Sequence, residues 1–209
     1  MKQQIDLYGD WGAVARRSIE EIRRQELVEA CLAVVAEEGH DAATTQRIAA
    51  RAETSAGIVH HYFGDKASLL QAAMRAVRAP VAEAYRDRLT AGGIADGSGR
   101  AALSACIDAH LDPSILTVRR AAAWLQFTSR VAYVPDYARI HAAIRCRQIA
   151  ALRRSLRGIT ADPGAAPAVA LRLAIAIDGF WAECATREGG LMPGEARATI
   201  DAILSDSVL

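Results

Sequence analysis

The chain has little that would build a sheet, a metal centre or a membrane span. Aromatic residues are only 5% of its 209 positions, and alternating runs of β-branched residues are nearly missing. Period-two alternation marks a half-buried strand, so no sheet is expected. Four cysteines (Cys31, Cys106, Cys146, Cys184) stand at least 38 residues apart with no CxxC pair. That spacing argues against a closed zinc site or a disulfide framework and suits a reducing compartment. Each cysteine lies among apolar residues and reads as a small core residue. No run of 18 apolar residues and no signal peptide is present, so a cytoplasmic chain without a membrane segment is expected. There is no Ser/His/Asp order, no HExxH and no glycine-rich phosphate loop, so neither catalytic residues nor a cofactor are assigned and the chain does not read as an enzyme. An excess of positive charge is missing too. Net charge is +1, and the first 75 residues hold 9 Lys/Arg against 11 Asp/Glu. A nonspecific polyanion coat is thereby disfavoured, and any nucleic-acid contact must be local.

What the chain does have is helix. Hydrophobic residues reach 52%, much of it alanine, and Ala, Leu and Arg all favour helix, which gives an all-α class. Residues 1–19 lack a clean period and read as an N-terminal arm, with Arg16, Arg17, Arg23 and Arg24 either solvated or touching phosphate. From Glu20 to Glu38, Ile22, Leu27, Ala30, Cys31, Val34 and Val35 recur at helical spacing, and Gly39 ends the run. Thr44 or Thr45 caps Gln46–Ala52, Ser55 caps Ala56–Phe63, and Asp65 is a candidate cap for a long helix from Lys66. Pro80 falls inside that last pattern and predicts a kink or break near Ala79. Beyond the linker Ala91–Gly99, helices are expected at about 100–111, 115–132, 136–157, 165–187 and 194–207.

Residues 44–66, TTQRIAARAETSAGIVHHYFGDK, carry the strongest signal. Two short helices joined by a tight turn can place the second in a DNA major groove, though the same pattern also occurs as ordinary helix packing. Ala56, Gly57 and His60 lie at i, i+1 and i+4, on one face. Gln46 and His60 can hydrogen-bond base edges, and Ala56 can touch a thymine methyl. Thr45, Ser55, His61, Tyr62 and Lys66 complete the candidate DNA-contacting set, mainly toward phosphate. The run resembles the helix-turn-helix of TetR-family transcriptional regulators, matching at Thr44-Thr45, Ile48-Ala49, Ser55-Ala56-Gly57, Tyr62-Phe63 and Lys66. It departs at Glu53-Thr54, where the family usually has Gly-Val, so Glu53 must adopt a turn conformation easier for glycine. His60 stands where the family usually has tyrosine. The resemblance implies a head at 20–65, a ligand-binding and dimerisation unit at 66–209, a double-stranded operator and a homodimer.

The C-terminal half offers its own clues. Arg172–Ala185, RLAIAIDGFWAECA, is apolar on most sides around Asp178 and must be buried from more than one direction. Ala174, Ile177, Trp181 and Ala185 can face the core, while Ala198, Ile200, Ile203 and Leu204 of the last helix can join a dimer interface. Trp124, Phe127, Tyr133 and Trp181 either fill the core or, with Asp178, box a quaternary ammonium effector by cation–π attraction. Arg23–Leu27, Gly57–Phe63, Ala123–Phe127 and Ile177–Trp181 are similar to the BetI branch of the same family, whose effector is choline; the resemblance implies a quaternary ammonium as the small-molecule ligand. The alternative is a regulator of an efflux or catabolic gene that senses a neutral or anionic hydrophobic ligand, such as a fatty acid or drug-like aromatic.

Overall fold

In the computed structural model, which describes residues 11–160, 162–190 and 193–205, every regular element is helical. Helix α1 (Trp11–Glu38) starts well before the expected Glu20. A missing period reports only that a face is not buried, and the Ala- and Arg-rich stretch still favours helix. Accordingly Ile22, placed on the apolar stripe by its spacing, is 55% exposed, and burial begins at Leu27. The rest of the expected arm, residues 1–10, lies outside the described residues.

Gly39 leaves α1 at φ +91°, and Thr44, not Thr45, caps α2 (Thr45–Arg51) by accepting the Arg47 amide at 3.2 Å. In the turn before α3 (Ala56–Phe63), Glu53 has φ +52°, the one positive φ outside glycine among the described residues. Asp65 then caps α4 (Lys66–Ala91), its carboxylate accepting the Ser68 amide at 2.7 Å.

The break expected at Pro80 does not occur, and α4 runs through it. Proline has no N–H for the carbonyl four residues back, which belongs to Ala76. Arg120 supplies the missing donor from another helix, its Nη1 lying 3.2 Å from that Ala76 oxygen. The carbonyl that proline would leave orphaned therefore has a partner, and the helix continues past it.

The remaining elements are α5 (Gly99–His110), α6 (Val118–Thr128), α7 (Pro135–Ser155), a 3-10 turn (Pro163–Ala165), α8 (Ala166–Thr186) and α9 (Pro193–Ser205). Helix α8 packs against α6, α7 and α9, with Leu173, Ala174, Ile177 and Trp181 fully buried. Helix α4 meets α1 and α3 near its start and α5, α6 and α7 beyond, so one element touches both halves. The core is continuous across them, running from Leu27, Ile48 and Val59 through Met74 to Phe127, Trp181 and Ile200. Cys31, Cys106 and Cys184 lie in it, whereas Cys146 is exposed, because α7 turns Tyr137, Ile140, Gln148 and Leu152 inward and position 146 falls off that face.

Candidate DNA-reading head and effector cavity

In the head, Ile48, Ala49 and Val59 anchor α2 and α3 on the core, which leaves the opposite surfaces to solvent. Gln46, Ser55, Gly57, His60, His61 and Lys66 are exposed, while Thr45, Ala56 and Tyr62 are half-buried. The nearby arginines are committed elsewhere. Arg47 pairs with Glu38, Arg51 with Glu37 at 2.8 Å, and Arg24 donates to the Tyr62 carbonyl while lying 4.4 Å over the Phe63 ring. Arg23 pairs with Glu26 at 2.7 Å, so neither arginine of this pair is idle. These contacts brace α2 and α3 against α1 and leave Lys66 as the cation of this segment with no ion pair described.

His60 has a defined ring orientation. Its Nδ1 lies 2.6 Å from the Gly64 carbonyl, which can only accept, so Nδ1–H donates and Nε2 is the nitrogen left to face a base, an acceptor in the corresponding tautomer. An exposed acceptor suits the amino groups of adenine N6 or cytosine N4 in a major groove. Ser55, though it occupies the N-cap of α3, makes no side-chain cap bond, so the first amides of that helix are available to phosphate.

The five residues read as a ligand box are not gathered into one. Tyr133 is 83% exposed in the turn after α6, because Pro135 opens α7 and carries the chain over the surface. Phe127 is fully buried in a separate cluster, edge-on to His40 at 6.0 Å and to Tyr137 at 5.6 Å, where the Gly39 turn meets α6 and α7. Trp124 and Trp181 do converge, on a cation the protein already owns. The Arg78 guanidinium lies 4.1 Å from the Trp181 ring and 5.3 Å from that of Trp124, and His141 stacks on Trp124 at 5.8 Å. Asp178 pairs with Arg145 and stands 3.8 Å from Arg78.

Next to this cluster, α4, α5 and α7 line an open cavity of about 220 Å³. Its polar lining is Arg75, Arg78, Tyr85, His110, Arg147 and Gln148, and its apolar lining is Ala79, Val81, Ala82 and Ile144. His110 is buried and donates Nδ1–H to the Cys106 carbonyl at 2.8 Å; burial first, then the Arg78 charge, holds it down to about 3, so it is neutral. Burial likewise lowers Arg78 to about 10, which still leaves it charged at neutral pH. Arg78 and Gln148 had a signal in the sequence that periodicity could have used. Arg78 follows Met74 by four residues and Gln148 precedes Leu152 by four, so each shares a helix face with a buried apolar residue. Among the described residues no cluster of potential metal ligands occurs, and no helix is long and apolar enough to cross a membrane.

Known proteins resemble this chain in both its N-terminal and its C-terminal parts. The tetR family of bacterial regulatory proteins matches residues 27–73, and the C-terminal family model of BetI-type transcriptional repressors matches residues 99–208. A BetI regulator of Chromohalobacter salexigens is 36% identical over 86% of this chain and 85% of its own. Another, from Stenotrophomonas maltophilia, is 34% identical over 88% and 89%. Among solved structures, a transcriptional regulator of Pseudomonas aeruginosa PAO1 superposes with a TM-score of 0.71 at 25% identity, covering 89% of this chain and 90% of that one. A Saccharomonospora viridis regulator in complex with choline shares the fold, with a TM-score of 0.66 at 19% identity over 89% and 97% of the two chains. The chain belongs to the TetR family of transcriptional regulators and carries the C-terminal half of its BetI-type repressors.

Proposed function

We propose that this repressor acts in the cytoplasm as a homodimer on a palindromic operator, and that a small effector in the cavity between α4, α5 and α7 releases it. The division of labour is a head at 20–65 and an effector and dimer unit at 66–209, with no catalytic step. In the head, Gln46 and His60 hydrogen-bond base edges, Ala56 touches a thymine methyl, Gly57 lets the backbone approach closely, and Thr45, Ser55, His61, Tyr62 and Lys66 hold phosphates. One observation carries the coupling: α4 lines the cavity from Arg75 to Tyr85 and starts at Lys66 beside α3. A ligand that fits one placement of α4 better than another shifts the spacing of the two heads, and it can do so only through that difference in fit. Selecting bound duplexes from random DNA and measuring their affinity by fluorescence anisotropy tests this. A palindrome with half-sites about 34–36 Å apart is expected, and selection of an asymmetric single site would sink the dimeric reading.

A quaternary ammonium effector is a second reading. It is supported by the BetI relatives and by the choline held in the S. viridis regulator. In this chain, however, the two tryptophans that would take an ammonium are covered by Arg78 and His141.

A further inference from the structure

The cavity contains more hydrogen-bond donors than the protein uses. Gln148 is 5% exposed, and neither its amide nitrogen nor its amide oxygen has a protein partner. Arg78 is equally buried, and its Nη1 is also without one. An unpaired polar group in the interior costs about 1–3 kcal/mol, and a buried charge costs more. Arg78 receives little in return: two ring faces, and an Asp178 carboxylate that is 3.8 Å away and already bound to Arg145. Around the same cavity stand Arg75 and Arg147, both exposed at its mouth, and no acidic residue lines it. Tyr85 and Ser155 are occupied with each other at 3.1 Å, and His110 is neutral. The three larger surface clefts differ, since most of their charged lining residues are paired, as Glu37 with Arg51, Arg197 with Asp108, and Arg88 with Asp112.

From this donor set we infer that the effector of this chain carries a carboxylate, held by the guanidinium of Arg78 and the amide of Gln148, with a short apolar body against Val81, Ala82 and Ile144. The inference rests on the cavity being the effector site and names the ligand class it takes. At about 220 Å³ the cavity is smaller than the roughly 300–1,000 Å³ of drug-sized ligand sites, which favours a small acid. Arg78 is itself the cation in the aromatic box. A ligand cation would have to enter beside it against like-charge repulsion in a poorly solvated site, whereas a carboxylate would complete its hydrogen bonding. Arg75 and Arg147 at the mouth add attraction for an anion on approach.

Four probes of nearly one shape separate charge from size: choline, glycine betaine, 3,3-dimethylbutan-1-ol and 3,3-dimethylbutanoate. By calorimetry on the full chain, 3,3-dimethylbutanoate is expected to bind at least about tenfold tighter than the neutral alcohol, with choline weakest. Gln148→Leu and Arg78→Met should each reduce carboxylate binding by at least about tenfold and bring it close to that of the alcohol. Gln148→Leu should also leave the melting temperature of the ligand-free protein unchanged or raised, because it removes two buried groups that have no partner. A merely structural glutamine would lower it. Choline binding as tight as the carboxylate and abolished by Ile144→Trp would overturn the charge assignment while keeping the cavity as the effector site. Binding of any probe that ignores Ile144→Trp would remove the cavity itself from the mechanism. No binding of any of the four probes, or carboxylate binding unchanged in Gln148→Leu, also defeats the inference.

Discussion

Gly57 has no internal reason to be glycine. A Cβ built there meets only the Ser55 hydroxyl at 3.7 Å, an ordinary contact, and its φ is not in the left-handed region. Glycine in an exposed helix is destabilising by about 0.5–1 kcal/mol relative to alanine, a cost that the proposed close approach of DNA would account for. Gly57→Ala should therefore raise unfolding stability by about 0.5–1 kcal/mol in denaturant titration while weakening operator affinity at least about tenfold. Unchanged operator affinity would show that DNA does not approach the backbone at this point. Glu53 makes the complementary case. The sequence motif indicated a strained turn there, and the backbone adopts it at φ +52°. Such residues are legible because a local rule is broken in plain view. Arg78 and Gln148 were not read, because a polar residue inside an apolar period looks like noise until neighbouring helices are known to close over it.

At the scale of elements, the helix spans followed from apolar periodicity, Gly and Pro punctuation and caps, while the continuity of α4 did not. Proline's effect depends on whether the orphaned carbonyl finds another donor, and that donor sits on α6, forty-four residues away in sequence. Arg120 does two jobs there, since its other terminal nitrogen lies 3.6 Å from Glu29 on α1. It thus ties the α4 lever at its weakest point to the head and to α6. Arg120→Ala should cost about 1–2 kcal/mol by stranding the Ala76 carbonyl. In a Pro80→Ala background, where residue 80 regains an N–H for the same carbonyl, the penalty should fall by half or more. Thermal melts of the four proteins form a double-mutant cycle that reads this coupling directly. An equal penalty in both backgrounds would mean that Arg120 acts through Glu29 alone.

For the whole molecule, the question is what covers the outer face of α8. The sequence showed a helix too apolar for one-sided burial, but it could not say which residues the chain would keep for itself. The fold takes Leu173, Ala174, Ile177, Trp181 and, from α9, Ile200, so the expected place of Ile200 in a dimer seam is corrected to the monomer core. Left outside are Leu171 at 46% exposure and Ile175 at 57%, followed along the same face by Gly179 and Ala182, with Ala198 and Ala202 exposed on α9. Small residues between large apolar ones allow two helix pairs to approach closely, and a two-fold axis makes the patch meet its own copy. Gly179 fits this reading, because a Cβ there would meet nothing within the chain. Ile175→Asp would place like charges on the same apolar face of both copies in a dry seam, while Leu171→Ala only trims contact. Ile175→Asp is expected to sediment as a monomer with a helical circular-dichroism spectrum and to lose operator binding at concentrations where Leu171→Ala still forms dimers. Affinity for an isolated half-site should remain, since no head residue has changed. A stable Ile175→Asp dimer with full operator affinity would place the seam elsewhere and leave this apolar face without a partner.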